Sequence, residues 1–216
     1  MAYDLEEQEQ LASLKAWWNQ YGNLLTWVLI VCLGAYAAWA GWNFYQRNQA
    51  VQASQLYDEL QKAVNAKDNA KVLRAAGDME EKFSGTIYAQ MAALAAAKSA
   101  FEANDVKSAQ AQLQWAADKG RDPEYQAIAK IRLAGIYLDE KAYDDGLKVL
   151  SGSFPPAFES AVADRRGDIL FAQNKLDEAR SAYQSALQKM DQKNPGRQFV
   201  QLKLDALGGA ADKGAA

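Results

Sequence analysis

Apolar and polar positions divide this chain into two stretches of different character. Between Lys15 and Arg47 no side chain is charged, and Leu24 to Phe44 is almost continuously apolar. As an α-helix that run rises about 31 Å at roughly 1.5 Å per residue, which matches the roughly 30 Å of hydrocarbon in a bilayer. Charge at the bilayer centre costs several kcal/mol or more, so a charge-free window is what a spanning helix requires. Trp17, Trp18, Tyr21 and Trp27 gather at one end and Trp39, Trp42, Phe44 and Tyr45 at the other, as amphipathic rings do at headgroup depth. The pattern predicts one transmembrane helix. A buried core helix is the bland alternative.

A cleavable leader is the other rival, because Ala35-Tyr36-Ala37 and Ala38-Trp39-Ala40 both read small-x-small. Against it, the preceding segment carries Asp4, Glu6, Glu7 and Glu9 with the single Lys15, where a secretory leader is short and basic. The apolar run also continues past both sites. The expectation is an uncleaved anchor. Its orientation is not set by charge, since Lys15 on one flank balances Arg47 on the other.

From Arg47 onward the periodicity becomes that of amphipathic helices, rich in Ala, Gln, Leu and Lys. Breaks fall at Gly120-Arg121-Asp122-Pro123, at Ser151-Gly152-Ser153-Phe154-Pro155-Pro156 and at Asn194-Pro195-Gly196. Between them one spacing recurs: a small residue, a contact three on, a small residue nine further, a bulky one four further and a small one three beyond. It reads Gly167, Leu170, Ala179, Tyr183, Ala186, with Gln173 to Asp177 as the turn. One unit back it reads Ala134, Tyr137, Gly146, Leu150, Ser153, and before that Ala97, Ala100, Ala109, Leu113, Ala116. The period is about 34 residues, and small residues at these places let paired antiparallel helices approach closely.

This is tetratricopeptide spacing, with an ordinary helical bundle as the alternative. The expected class is all-α: one N-terminal transmembrane helix followed by a tetratricopeptide-like helical-repeat solenoid. Upstream of the repeats, Gln46 to Ala66 (with Val51, Leu56, Leu60 and Val64 on one face) and Asn69 to Phe83 (with Val72, Leu73, Met79 and Phe83) read as an opening hairpin. A last helix from Gly196 to Leu207 is expected to cover the final repeat with Phe199, Leu202 and Leu207. Gly208 to Ala216 reads as a disordered tail.

Composition removes whole classes of chemistry. There is no histidine, and the only cysteine, Cys32, lies inside the span. Ser-His and Cys-His nucleophiles, His-ligated or Cys-ligated zinc and disulfides within the soluble part are therefore excluded. An all-carboxylate metal site is conceivable, but Asp144-Asp145 and Glu80-Glu81 read as solvated helix faces, and no Gly-rich phosphate loop is present. The expectation is no enzyme and no cofactor. All basic residues but Lys15 and all acidic residues but Asp4, Glu6, Glu7 and Glu9 lie from Arg47 onward, 23 of each. That balance, without a basic stripe, argues against nucleic acid as a partner.

Several segments in order carry a resemblance: Leu5-Glu6-Glu7-Gln8-Glu9-Gln10-Leu11, then Leu14-Lys15-Ala16-Trp17-Trp18, then Gly41-Trp42-Asn43-Phe44-Tyr45, and finally Val162-Ala163-Asp164-Arg165-Arg166-Gly167-Asp168. Over nearly its whole length the chain resembles the YfgM-like ancillary subunits of the SecYEG translocon, a bacterial inner-membrane family. The resemblance implies an acidic cytoplasmic tail over residues 1–23, a single span over 24–45 and a periplasmic tetratricopeptide-like domain over 46–207. It further implies association with the translocon and with a membrane-anchored periplasmic chaperone, passing newly exported chains to the folding network, and an influence on an envelope-stress response regulator. A scaffold for envelope assembly, division or stress signalling would use the same repeats without touching exported clients.

Two surfaces are candidates for partners. Gly34, Ala38 and Gly41 fall on one stripe of the span, where a second helix can approach closely; lipid-facing small residues are the alternative. Phe101, Leu138 and Phe171 follow the first-helix seam positions and are expected to form an apolar strip in the concave groove, beside Lys98 and Asp168; the alternative is internal packing. The near-helical spacing of Leu11, Leu14, Trp17 and Trp18 points to a protein contact for the acidic tail rather than adsorption to anionic lipid.

Overall fold

Residues 2–208 are described by a computed structural model, and among them every regular element is helical. In chain order these are α1 (Ala2–Asn65), α2 (Asn69–Lys82), α3 (Ile87–Glu102), α4 (Val106–Lys119), α5 (Pro123–Asp139), α6 (Tyr143–Val149), a 3-10 turn (Pro156–Phe158), α7 (Glu159–Ala172), α8 (Leu176–Lys189) and α9 (Arg197–Ala206). The tail expected from Gly208 onward lies, from residue 209, outside the described residues.

Two units divide at Gln49 and Ala50. In the first, Leu24, Leu25, Trp27, Val28, Leu29, Ile30, Val31 and Leu33 are all exposed. The helix is long and apolar enough to cross a membrane, and no residue of its most apolar window is buried by the chain. A core helix would be covered, so the bland alternative is removed. Trp17 stacks near Tyr21 at 5.9 Å between ring centroids and Trp42 near Tyr45 at 6.2 Å, which holds both aromatic girdles on the helix surface.

The second unit is a stack of hairpins, and the turn between the two helices of each is the same. Lys67, Asn104, Lys141 and Asn174 adopt the left-handed conformation, with φ of 56°, 60°, 61° and 61°. Immediately after each, a backbone N–H bonds back across the turn: Asp68 to the Ala63 carbonyl at 3.0 Å, Asp105 to Ala100 at 2.8 Å, Ala142 to Tyr137 at 2.8 Å and Lys175 to Leu170 at 2.9 Å. This closes the first helix and reverses the chain. Side chains start two of the second helices: Asp68 accepts from Lys71 N–H and Asp105 from Ser108 N–H, each at 3.1 Å.

Four turns mean four hairpins, one more than the spacing reveals. The expected opening hairpin is a full repeat unit with Leu60, Ala63, Val72, Ala76 and Met79 at the seam, all buried. Its sizes are inverted: large residues occupy the places where α3 and α4 put Ala97, Ala109 and Ala116, and Ala76 stands where they put Leu113. The Leu60 and Ala76 pair exchanges the sizes of Ala97 and Leu113, while Val72 and Met79 add bulk, and the pattern of small residues is lost. Val51, expected on the same face, is exposed, and Ala53 is buried in its stead.

In the later units the expected seam positions are buried from Ala97 through Ala116 and from Gly167 through Ala186. The middle unit departs at its end. Where α4 and α8 each have 14 residues, α6 has seven, so Ser153 lies beyond the helix and is exposed. Gly152 at φ 97° and the two prolines stop the helix, and Phe154 folds back against Ala134, Leu150, Val162 and Ile169.

The terminal helix also turns a face other than the expected one. Val200 and Leu204 are buried against Leu170, Ala179, Tyr183, Ala186 and Leu187, whereas Phe199 and Leu202 are exposed and Leu207 is half-buried. Val200, Lys203 and Leu204, at i, i+3 and i+4, share one side of α9. Pairing Lys203 with α7 selects the Val200 face.

Candidate functional site

First helices of three successive hairpins, α3, α5 and α7, border a groove of about 300 Å³. Ala97, Leu113 and Ile136 supply its apolar floor, and the ring of Phe101, about half exposed, stands on its wall. Around this apolar surface sit Lys98 from α3, Arg132 from α5 and Arg165 from α7, with Asp139 as the carboxylate of the lining. Arg132 and Arg165 hold the same place in their repeats, two residues before the seam residues Ala134 and Gly167. At Gly135 a Cβ would stand in ordinary van der Waals contact with the Arg165 guanidinium, at 3.6 Å.

The cations differ in how they are partnered. Lys98 reaches Glu102 at 3.7 Å across an exposed pair. Arg165 Nη1 lies 3.4 Å from Asp168 Oδ2, while its Nε is buried with no hydrogen-bond partner among the described residues. Arg132 enters no ion pair among the described residues.

Asp168 is a shared acceptor. Its Oδ1 receives the Tyr183 hydroxyl at 2.9 Å and the Lys203 ammonium at 2.7 Å, and Lys203 also reaches Asp164 at 2.8 Å. Burial pushes the Tyr183 phenol well above its ordinary range, and the neighbouring Asp168 charge adds to this. Burial pulls the Lys203 ammonium down, but Asp164 and Asp168 outweigh it and the net direction is up. Asp164, Gly167 and Asp168 thus tie α7 to α8 and α9, which gives the segment from Val162 to Asp168 a structural meaning.

A larger opening of about 690 Å³ lies where the shortened α6 leaves α7 and α8 uncovered, bounded by Leu147, Phe154, Val162, Ala163, Ala182 and Ser185 among others. Both charge signs occur on its rim, and Lys189 pairs with Glu159 there at 2.9 Å.

The structure separates the residues expected to form one strip. Phe101 lines the groove, Leu138 packs beside Ala134, Leu150, Val162 and Ile169, and Phe171 is exposed outside the groove lining. Gly34, Ala38 and Gly41 are exposed on α1, with nothing within 4 Å of a Cβ built on either glycine. Arg132, Arg165 and Asp139 are groove residues that the sequence reading passes over. The recurrence of arginine at a fixed place in two consecutive repeats is the signal that identifies the first two.

Hairpins of this geometry behind a helix of membrane-spanning length and apolarity define a tetratricopeptide-like repeat protein, and the family described as tetratricopeptide repeat-like domain matches residues 15–209. Similarity extends over almost the entire chain to proteins named ancillary SecYEG translocon subunit. That of Neisseria gonorrhoeae is 31% identical over 211 residues, covering 96% of this chain and 100% of that protein. Those of Haemophilus influenzae and Escherichia coli K12 are each 30% identical, covering 96% and 93% of this chain and 100% and 96% of their own. The chain belongs to the family of ancillary SecYEG translocon subunits.

Proposed function

We propose that this chain is a non-enzymatic ancillary subunit of the SecYEG translocon that links exported proteins to a membrane-anchored periplasmic chaperone. What carries the reading is the end-to-end likeness to proteins of that name, joined to a repeat stack with an accessible groove. Residues 24–45 form the inner-membrane anchor, residues 1–23 the cytoplasmic tail and residues 46–207 the periplasmic domain. Affinity purification of the tagged full chain from native membranes in mild detergent tests this: SecYEG subunits should co-purify, and their absence overturns the reading. Recovery of division or envelope-assembly proteins in their place would favour a scaffold. Protease protection in spheroplasts tests orientation, with the repeat domain expected to be cleaved from outside.

Two contact surfaces belong to the proposal. Along the span, Gly34, Ala38 and Gly41 form a close-approach stripe for a partner helix. Gly34→Leu with Ala38→Leu should release the translocon from the purified complex, and unchanged co-purification removes the stripe. In the repeat domain the groove at Phe101 receives a polypeptide, with Phe171 extending the accessible apolar surface and Leu138 supporting it from within. A photocrosslinker at Phe101 or Phe171 should capture another chain, and crosslinks confined to the protein itself would assign these residues to packing.

A further inference from the structure

Resting on the reading of the groove as a recognition surface, we propose that it takes an extended polypeptide segment in which acidic side chains flank an apolar one. The lining brings Lys98, Arg132 and Arg165 from three consecutive first helices around the exposed ring of Phe101. Existing partners leave much of this positive charge available. Asp168 faces Arg165 at 3.4 Å but is committed more closely to Lys203 at 2.7 Å and to the Tyr183 hydroxyl at 2.9 Å. Arg165 Nε is a buried donor without a partner, and Arg132 has no carboxylate within ion-pair reach among the described residues. The exposed Glu102 meets Lys98 only at 3.7 Å, a separation at which such pairs contribute little.

These facts select the occupant. A wholly apolar segment would cover Arg132 and Arg165 without giving their N–H groups an acceptor, which costs more than it returns. A basic segment would meet three cations. Carboxylates supply charge-assisted bonds to guanidinium groups. Three cations on three successive first helices take more than one carboxylate to match, which internal Asp or Glu side chains provide and a single chain terminus does not. Between them an apolar side chain meets Phe101 and the floor formed by Leu113 and Ile136. Asp139 stands in the same lining and limits the acidic stretch to a short one.

The test uses the full-length chain in detergent and two labelled peptides, Gly-Ser-Asp-Leu-Asp-Phe-Gly-Ser and its counterpart with both Asp replaced by Asn, followed by fluorescence anisotropy. The acidic peptide should bind about tenfold more tightly than the amide version at low ionic strength, with the preference shrinking as salt is raised. Arg132→Gln should abolish most of that preference, and Phe101→Ala should weaken both peptides. Arg132 touches no ion-pair partner, so its variant is expected to keep the wild-type helical spectrum and melting temperature. Equal binding of the two peptides, no binding of either, or a preference that survives both Arg132→Gln and Arg165→Gln overturns the proposal. The underlying reading is scored separately by photocrosslinking from Phe101 in native membranes: capture of another chain there sustains the recognition surface even where the acidic preference fails.

Discussion

Lys203 on α9 and Asp168 on α7 form an ion pair of 2.7 Å at the end of the repeat stack. The same ammonium reaches Asp164 at 2.8 Å and lies 5.6 Å from the centre of the Tyr183 ring. The capping helix is therefore held by a polar clamp above an apolar contact made by Val200 and Leu204. Lys203→Met should lower stability by about 1 kcal/mol, a figure discounted for the partial exposure of the lysine. Chemical denaturation of the full chain in detergent, followed by circular dichroism, measures it. The alkaline response carries the sign. Tyr183 and Lys203 both keep their protons in the folded state beyond the pH at which the unfolded chain releases them. Their contribution is complete below about pH 10 and is lost as pH rises above it, so Tyr183→Phe and Lys203→Met should each flatten the alkaline fall in stability.

Gly167 leaves room for the Tyr183 ring, because a Cβ there would lie 2.5 Å from the ring. Gly167→Ala should cost about 1–3 kcal/mol through overpacking, although alanine is the better helix former. Tyr183→Phe preserves the packing and removes only the hydroxyl bond to Asp168, so a loss of about 1.5 kcal/mol is expected. A melting temperature unchanged by Gly167→Ala would show that α7 and α8 do not meet as described.

The inverted opening repeat makes a prediction that the spacing alone does not. Leu60 is fully buried among Val72, Ala76 and Met79, so Leu60→Ala should cost about 2–5 kcal/mol. Val51→Ala should change stability by less than about 0.5 kcal/mol, since Val51 is exposed. Amide hydrogen exchange should show α2 losing protection in the first variant and retaining it in the second.

Two of the four left-handed turn residues are lysines, at Lys67 and Lys141, where the sister turns have Asn104 and Asn174. Asparagine tolerates this conformation better than a long side chain does. Lys141→Asn should therefore stabilise the protein by about 0.5 kcal/mol, read as a raised melting temperature.

Burial raises the Glu80 carboxyl above the ordinary range, and Gln112 only partly offsets it. Glu80 Oε1 and Gln112 Oε1 are both buried without hydrogen-bond partners among the described residues. A raised folded value means that Glu80 costs stability as pH climbs from the ordinary glutamate value, about 4.3, through the raised one. Glu80→Gln should stabilise by about 1 kcal/mol at neutral pH and by nothing in acid. Parallel denaturation curves at the two pH values test this.

Some of this architecture was legible in residue order. The apolar run from Leu24 to Phe44 and the small residues Ala97, Ala134 and Gly167 announce themselves, because a charge-free window and a close helix seam each permit few side chains. The first repeat is not legible in the spacing, because Leu60, Val72 and Met79 stand where the other units place small residues and Ala76 where they place a bulky one. Leu138 and Phe101 occupy the same place in their repeats, yet one is packed and the other lines a groove, because the shortened α6 lets Phe154 and its neighbours repack the middle unit.

By itself, then, the sequence determined the all-helical class, the membrane-length segment, the repeat period and the absence of histidine and thiol chemistry from the residues after the apolar run, since each depends on local pattern or composition. Tertiary structure decided which face of α9 is buried, which carboxylates Lys203 pairs with and which arginines remain short of partners at the groove. Those outcomes depend on residues brought together from distant positions, where competing contacts for one side chain are resolved only by packing.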